Sequence, residues 1–125
     1  MRSARAVPAV PLYTRMGHWL CTTFERAGVE TEMGSRLYAT FLQAGLPAPE
    51  LHSAGHVGGA EHAELYDLLA DTLRSLQPLT EKFGIATREE QELDTFASRL
   101  RAQVAAGGGG IHAPSYVGAW ARTAH

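Results

Sequence analysis

Three histidines, His52, His56 and His62, fall close together in the chain, with Glu61 and Glu64 beside the last of them. Imidazole and carboxylate are metal ligands, so spacing decides whether they can meet. On a helix His52 and His56 would share a face at i, i+4. Pro47, Pro49, Gly55 and the pair Gly58-Gly59 argue against a helix there. On a strand the two rings share a face but stand ~13 Å apart, too far for one ion bound at ~2 Å. The reading is solvated strand or turn histidines and no metal.

His18 and His112 are the other candidates. A histidine near neutral pH can take a proton from a hydroxyl acceptor. Trp19, next to His18, lies on an apolar helical stripe, which makes it core and leaves His18 on the surface. Cys21 has no adjacent basic residue and no CxxC partner. A reactive thiolate needs such a setting, so Cys21 reads as structural. Glu89, Glu90, Glu92 and Asp94 open a helix, where they complement its dipole. Tyr116 and Trp120 share one strand face, which suits an aromatic pocket or ordinary sheet packing equally.

The elements that must position these residues follow from periodicity. Pro11 suits a first helical turn, and Leu12, Met16, Trp19, Leu20 and Phe24 recur at helical spacing before Gly28. The expectation is a helix over 11–27. A second, over 32–44, carries Met33, Leu37 and Phe41. Glu50 to Val57 reads as a strand. Helical spacing returns from His62 to Gln77 through Leu65, Leu69, Leu73 and Leu76. Pro78 is expected to end or kink that helix, with another turn or two over Leu79–Phe83 before Gly84. Thr87-Arg88-Glu89-Glu90 is a capping-box pattern opening a helix to about 105. The tail, Ile111 to Arg122, alternates with period two and reads as one strand. Residues before Pro11 read as an extended, proline-stiffened lead-in, since Pro8 and Pro11 interrupt any signal-peptide core.

The sum is five helices and two strands. Two strands make a marginal sheet, so packing helices, another copy or a parallel sheet must complete it. The 125 residues suit one domain. With 45% hydrophobic and 19% charged residues the chain is globular rather than disordered. No apolar run reaches the ~20 residues of a membrane span. A formal charge of −2 gives no basic field for nucleic acid. The single cysteine forms no internal disulfide, which fits a reducing cytoplasmic setting. Lys82 is the one lysine against ten arginines, a mark of GC-rich coding rather than of function.

The order of segments resembles the C-terminal part of bacterial class I S-adenosylmethionine-dependent methyltransferases. The residues that carry this are Val10-Pro11-Leu12-Tyr13, Met33-Gly34-Ser35-Arg36-Leu37-Tyr38 and the run from Phe41 to Leu51 containing Ala44-Gly45-Leu46-Pro47. Leu73-Arg74-Ser75-Leu76-Gln77-Pro78-Leu79, Gly84-Ile85-Ala86-Thr87 and Pro114 to Arg122 complete it, so the match spans about residues 5–122.

The resemblance implies an α/β family. This mostly α-helical chain would be the last helix, the final two antiparallel strands and a helical lid insertion of a Rossmann-like methyltransferase. The lid would be residues 62–105. Residues 1–125 would form a single partial domain, the acceptor-side and lid half. In the family a Gly-rich turn after the first strand and an acidic residue ending the second hold the donor. No G-x-G-x-G follows a strand here; Gly107–Gly110 follows a helix. The donor-binding half is therefore absent from this sequence, as it is if Met1 is a miscalled start.

The implied function is methyl transfer from S-adenosylmethionine, as co-substrate, to a small-molecule acceptor, with no metal and with activity alone not expected. The implied acceptor-side contacts are Tyr13, His18, Tyr66 and Arg74; no catalytic or cofactor-binding residue is assigned. The implied partners are the acceptor and either a second copy or a donor-binding chain. The rival is a non-catalytic helical interaction or dimerisation module derived from such an enzyme. Exposed sheet edges and uncovered apolar faces predict a marginally stable monomer.

Overall fold

A computed structural model describes residues 3–123. In chain order the elements are β1 (Arg5–Val7), α1 (Pro11–Arg26), α2 (Met33–Gln43), β2 (Glu50–Ala54), β3 (Val57–Gly58) and α3 (Ala63–Lys82). Then come α4 (Arg88–Gln91), α5 (Leu93–Gly107), β4 (Gly110–His112) and β5 (Tyr116–Trp120). The fold is mostly helical with two small antiparallel sheets, ordered β1-β4-β3 and β2-β5.

The helical stripes expected from sequence form the core. α1 buries Leu12, Tyr13, Met16, Trp19 and Leu20, and α3 buries Leu65, Tyr66, Leu69 and Leu73. α5 adds Phe96, Leu100 and Val104, and β4 adds Ile111. Phe96, Leu100 and Ile111 are completely sealed from solvent. One polar contact sits inside this packing. The Thr23 hydroxyl on α1 is 3.0 Å from that of Thr80 on α3 and 2.6 Å from the Trp19 carbonyl, which takes its proton. The Thr80 hydroxyl is in turn 3.1 Å from the Leu76 carbonyl, so both buried hydroxyls have a backbone acceptor within reach and cost little.

Two expected helix boundaries are corrected. α3 runs unbroken through Pro78. The ring removes one i→i−4 bond, but the buried face continues on both sides of it, from Leu73 to Thr80. The helix expected from Thr87 to about 105 is instead cut at Glu92, whose φ of 44° is left-handed. The capping box at Thr87 does form, with Glu90 N–H donating to the Thr87 hydroxyl at 3.0 Å and Thr87 N–H to the Glu90 carboxylate at 3.2 Å.

The break buries Gln91 completely, and its Oε1 has no hydrogen-bond partner. An unmet buried acceptor costs ~1–3 kcal/mol, which an apolar group of similar shape avoids. Gln91→Met is therefore expected to raise stability by about 1 kcal/mol, measured as a higher urea midpoint at unchanged slope. The Gln91 Nε2 donates to the Thr87 carbonyl at 3.4 Å, and a lower midpoint would mean that losing this bond outweighs the unmet acceptor.

The strands also differ from expectation. Two were expected and the described residues contain five. Arg5–Val7, read as a lead-in, is an edge strand against β4, with Ala6 opposite Ile111. The expected strands 50–57 and 111–122 each break in two. Together they form one antiparallel ribbon with a step. In the outer part Glu50 faces Trp120 and Ala54 faces Tyr116; in the inner part Val57 faces His112 and Gly58 faces Ile111. Gly55 and His56 thus oppose three residues, Ala113, Pro114 and Ser115. One bond crosses the step, Ala113 N–H to the His56 carbonyl at 2.9 Å. Pro114, lacking a donor, stands where the ladder is already interrupted.

The outer part of the ribbon and α2 make a thin second layer. Gly34 lets α2 approach β5: a Cβ there would lie 2.8 Å from Val117 Cγ2. Val117 and Ala119 face the helix and are half-buried. Their cross-strand partners Leu51 and Ser53 share that face; Glu50, His52, Ala54, Tyr116, Gly118 and Trp120 lie on the other. No residue of α2 or β2 is buried. Met33, Tyr38, Leu42 and Leu46 remain exposed around α2, and Tyr116 and Trp120 on the sheet. Both long edges of this two-stranded sheet are unpaired among the described residues.

Candidate functional site

The bulge and the start of α3 create a cleft of about 510 Å³, lined by His56, Val57, Glu61, His62, Ala63, Glu64, Leu65 and Leu68. Its position follows from local structure. Gly58 and Gly59 turn the chain out of β3 into α3. The His62 ring lies over Gly58, where a Cβ would meet Nδ1 at 2.8 Å. The same Nδ1 is 3.3 Å from Glu61 Oε1. Two anchors hold this turn: from the core side the Tyr66 hydroxyl donates to the Gly59 carbonyl at 3.0 Å, and at the surface Arg101 Nε donates to the Ala60 carbonyl.

On the opposite side His56 stands at the ribbon step. Its ring meets the Tyr116 ring edge to face, with centroids 6.2 Å apart. That contact links the cleft to the open face of β5. The chemistry on offer is an apolar floor from Val57, Leu65 and Leu68, two carboxylates, and two imidazoles able to accept a proton from a bound molecule.

The four residues implied by the resemblance do not converge. Tyr13 and Tyr66 do come together, in the core, and both hydroxyls are committed to backbone. Tyr13 donates to the His112 carbonyl at 2.6 Å, tying α1 to β4. Burial, with the neighbouring Tyr66 phenol second, pushes the Tyr13 pKa up from 10.0 to about 12. Burial raises Tyr66 as well, with Glu61 adding to it. His18 is exposed on α1, its Nδ1 3.5 Å from the Thr22 hydroxyl. Arg74 is exposed on α3, 3.0 Å from Asp71 Oδ1, and borders a separate cleft of about 630 Å³ with Gln77, Arg88 and Glu92.

The Tyr13 shift has a consequence for stability. A pKa raised in the folded state stabilises fully below the unfolded value, and that contribution is lost as pH climbs through the folded one. The Tm is expected to fall between about pH 10 and 12, and Tyr13→Phe to flatten that fall. An identical alkaline profile in the variant would show that Tyr13 is not the group responsible.

His52 is on the open face of β2, opposite Gly118, away from the cleft liners. Among the described residues no three His, Cys, Asp or Glu gather as a metal site would require. Cys21 is half-buried and its thiol is pushed up by that burial, away from the thiolate. The sequence marked His56, His62, Glu61 and Glu64 as neighbours but not as walls of one cleft. The unused signal was Leu68, an apolar residue just off the α3 stripe that stays 48% exposed. No helix among the described residues is long and apolar enough to cross a membrane.

No family model, no curated protein and no solved structure matches this chain.

Proposed function

We propose that this chain is the acceptor-side and lid portion of an S-adenosylmethionine-dependent methyltransferase of a small molecule, working only with a donor-binding unit. That unit is carried on the same or another polypeptide. The observation that supports this most is the thin layer of α2, β2 and β5. One helix on two strands fully buries no residue of its own, Val117 and Ala119 being only half-buried, and it is what the end of a larger sheet would look like with its neighbours removed.

The two edges of the layer differ in a way that favours this reading. β2 holds Glu50 and is preceded by Pro47 and Pro49, devices that keep an edge from pairing. β5, Tyr-Val-Gly-Ala-Trp, holds no charge and no proline. An outer edge thus lies at β2 and a docking edge at β5. The cleft opens just past the carboxyl end of β2, where α/β folds take their ligands. The start of α3 forms one wall of it, and in this reading residues 62–105 serve as the lid. The protein's contribution to methyl transfer is to position acceptor and donor and exclude water.

The test has two arms. Calorimetric titration of the chain alone with S-adenosylmethionine is expected to give no saturable heat. Joined to the first five parallel strands of a class I methyltransferase, the chain is expected to bind the donor, and amides of Tyr116–Trp120 to become protected from exchange. A fusion that binds donor with β5 amides still exchanging freely would overturn the docking. The second reading, a dimerisation module, rests on the same uncharged edge. It predicts a concentration-dependent dimer of the chain alone that Trp120→Lys, on the exposed face of β5, disperses.

A further inference from the structure

The cleft between β3 and the start of α3 holds two carboxylates and two imidazoles. Glu61 and Glu64 are in its wall and no Lys or Arg is among its lining residues. Glu61 is shared with His62, at 3.3 Å, while Glu64 has no ion-pair partner among the described residues. Glu61 lies in the turn before α3 and Glu64 in its first turn, and both residues line the cleft. Below them lie Val57, Leu65 and Leu68, with Leu68 left 48% exposed. Beyond His56 stands the exposed ring of Tyr116, whose face attracts cations.

A phosphate or carboxylate placed here would meet two like charges. A neutral molecule would use the floor and ignore the wall. An organic cation uses both. We infer that this cleft binds a protonated amine on an apolar body, the ammonium held by Glu61 and Glu64 and the body lying on Val57, Leu65 and Leu68. The turn that presents Glu61 is fixed beforehand by Tyr66 and Arg101, so little ordering is needed on binding. That the amine belongs to the methyl acceptor rests on the proposed function; the binding itself does not.

The probe is 2-phenylethylammonium, added to isotope-labelled chain and followed by amide NMR shifts. Saturable shifts centred on Val57 and Glu61–Leu68 are expected. The matched alcohol and carboxylate, 2-phenylethanol and 3-phenylpropanoate, are expected to bind several-fold more weakly. Glu64→Gln and Glu61→Gln should each weaken the ammonium about fivefold, the size of an exposed ion pair. Asp71→Asn, outside the cleft, should change nothing. The inference is overturned if the alcohol binds as well as the ammonium, if the shifts lie elsewhere, or if none saturates. Ammonium binding without donor binding by the fusion would sink only the methyltransferase reading; the reverse would sink only the amine.

Discussion

Gly109→Ala lowers stability by about 3 kcal/mol, seen as a Tm drop on the order of 12 °C for a chain of this size. A Cβ at Gly109 would run into the Val7 carbonyl and the Pro8 ring. The obstacle is backbone, so no side-chain rotation relieves it. Gly109 stands between the end of α5 and β4, and β1 lies across β4, with Val7 opposite Gly110. The chain therefore has two ways to accommodate the methyl. It strains the whole sheet, or β1 lifts off. Exchange at Ala6 separates them: a global loss leaves Ala6 tracking the core, whereas lift-off exposes Ala6 first. Gly118→Ala is the control, because a Cβ there meets nothing within 4 Å. A Gly109→Ala protein within 2 °C of the parent, set against about 12 °C expected, would mean that β1 does not pack there in solution.

The same residues explain what was legible beforehand. Helix stripes survive in sequence because burial on one side leaves a period of 3.6, and Met16, Leu69 and Leu73 all fell where that period put them. The capping box was legible because its side chains bond their own backbone. The ribbon step was not. Alternation on either side of Pro114 looks continuous in sequence, yet the extra residue moves β4 and β5 into different sheets. β1 was missed because three residues hold too little pattern and its partner is more than a hundred positions away. Glu92 gave no warning of a left-handed backbone, since Glu has no special preference for it. The cleft was half-legible: its polar residues are local in sequence, but its volume depends on the step and on the turn at Gly58-Gly59.

Phe96→Ala and Leu42→Ala are both deletions of apolar side chain from a helix, and their costs are expected to differ by nearly tenfold. Phe96 is wholly buried on α5 against α1 and α3, so truncating it costs about 3–5 kcal/mol. That is a large part of the total that a domain of this size has. Leu42 on α2 is 48% exposed, and its loss costs about 0.5 kcal/mol or less. The difference follows from layering: α1, α3, α5 and the β1-β4-β3 sheet enclose a core, and α2 with β2 and β5 does not. Local opening should follow the same division, with amides of Leu51–Ala54 and Tyr116–Trp120 exchanging well before those of Phe96 or Leu100. In Phe96→Ala the two classes should converge as global unfolding becomes accessible. Docking of a strand on β5 should instead slow the outer class alone. That selectivity would tie the energetics to the proposed role, in which docking on β5 completes the layer. Uniform protection across α2, β5 and α5 in the isolated chain would contradict both the layering and the proposed docking.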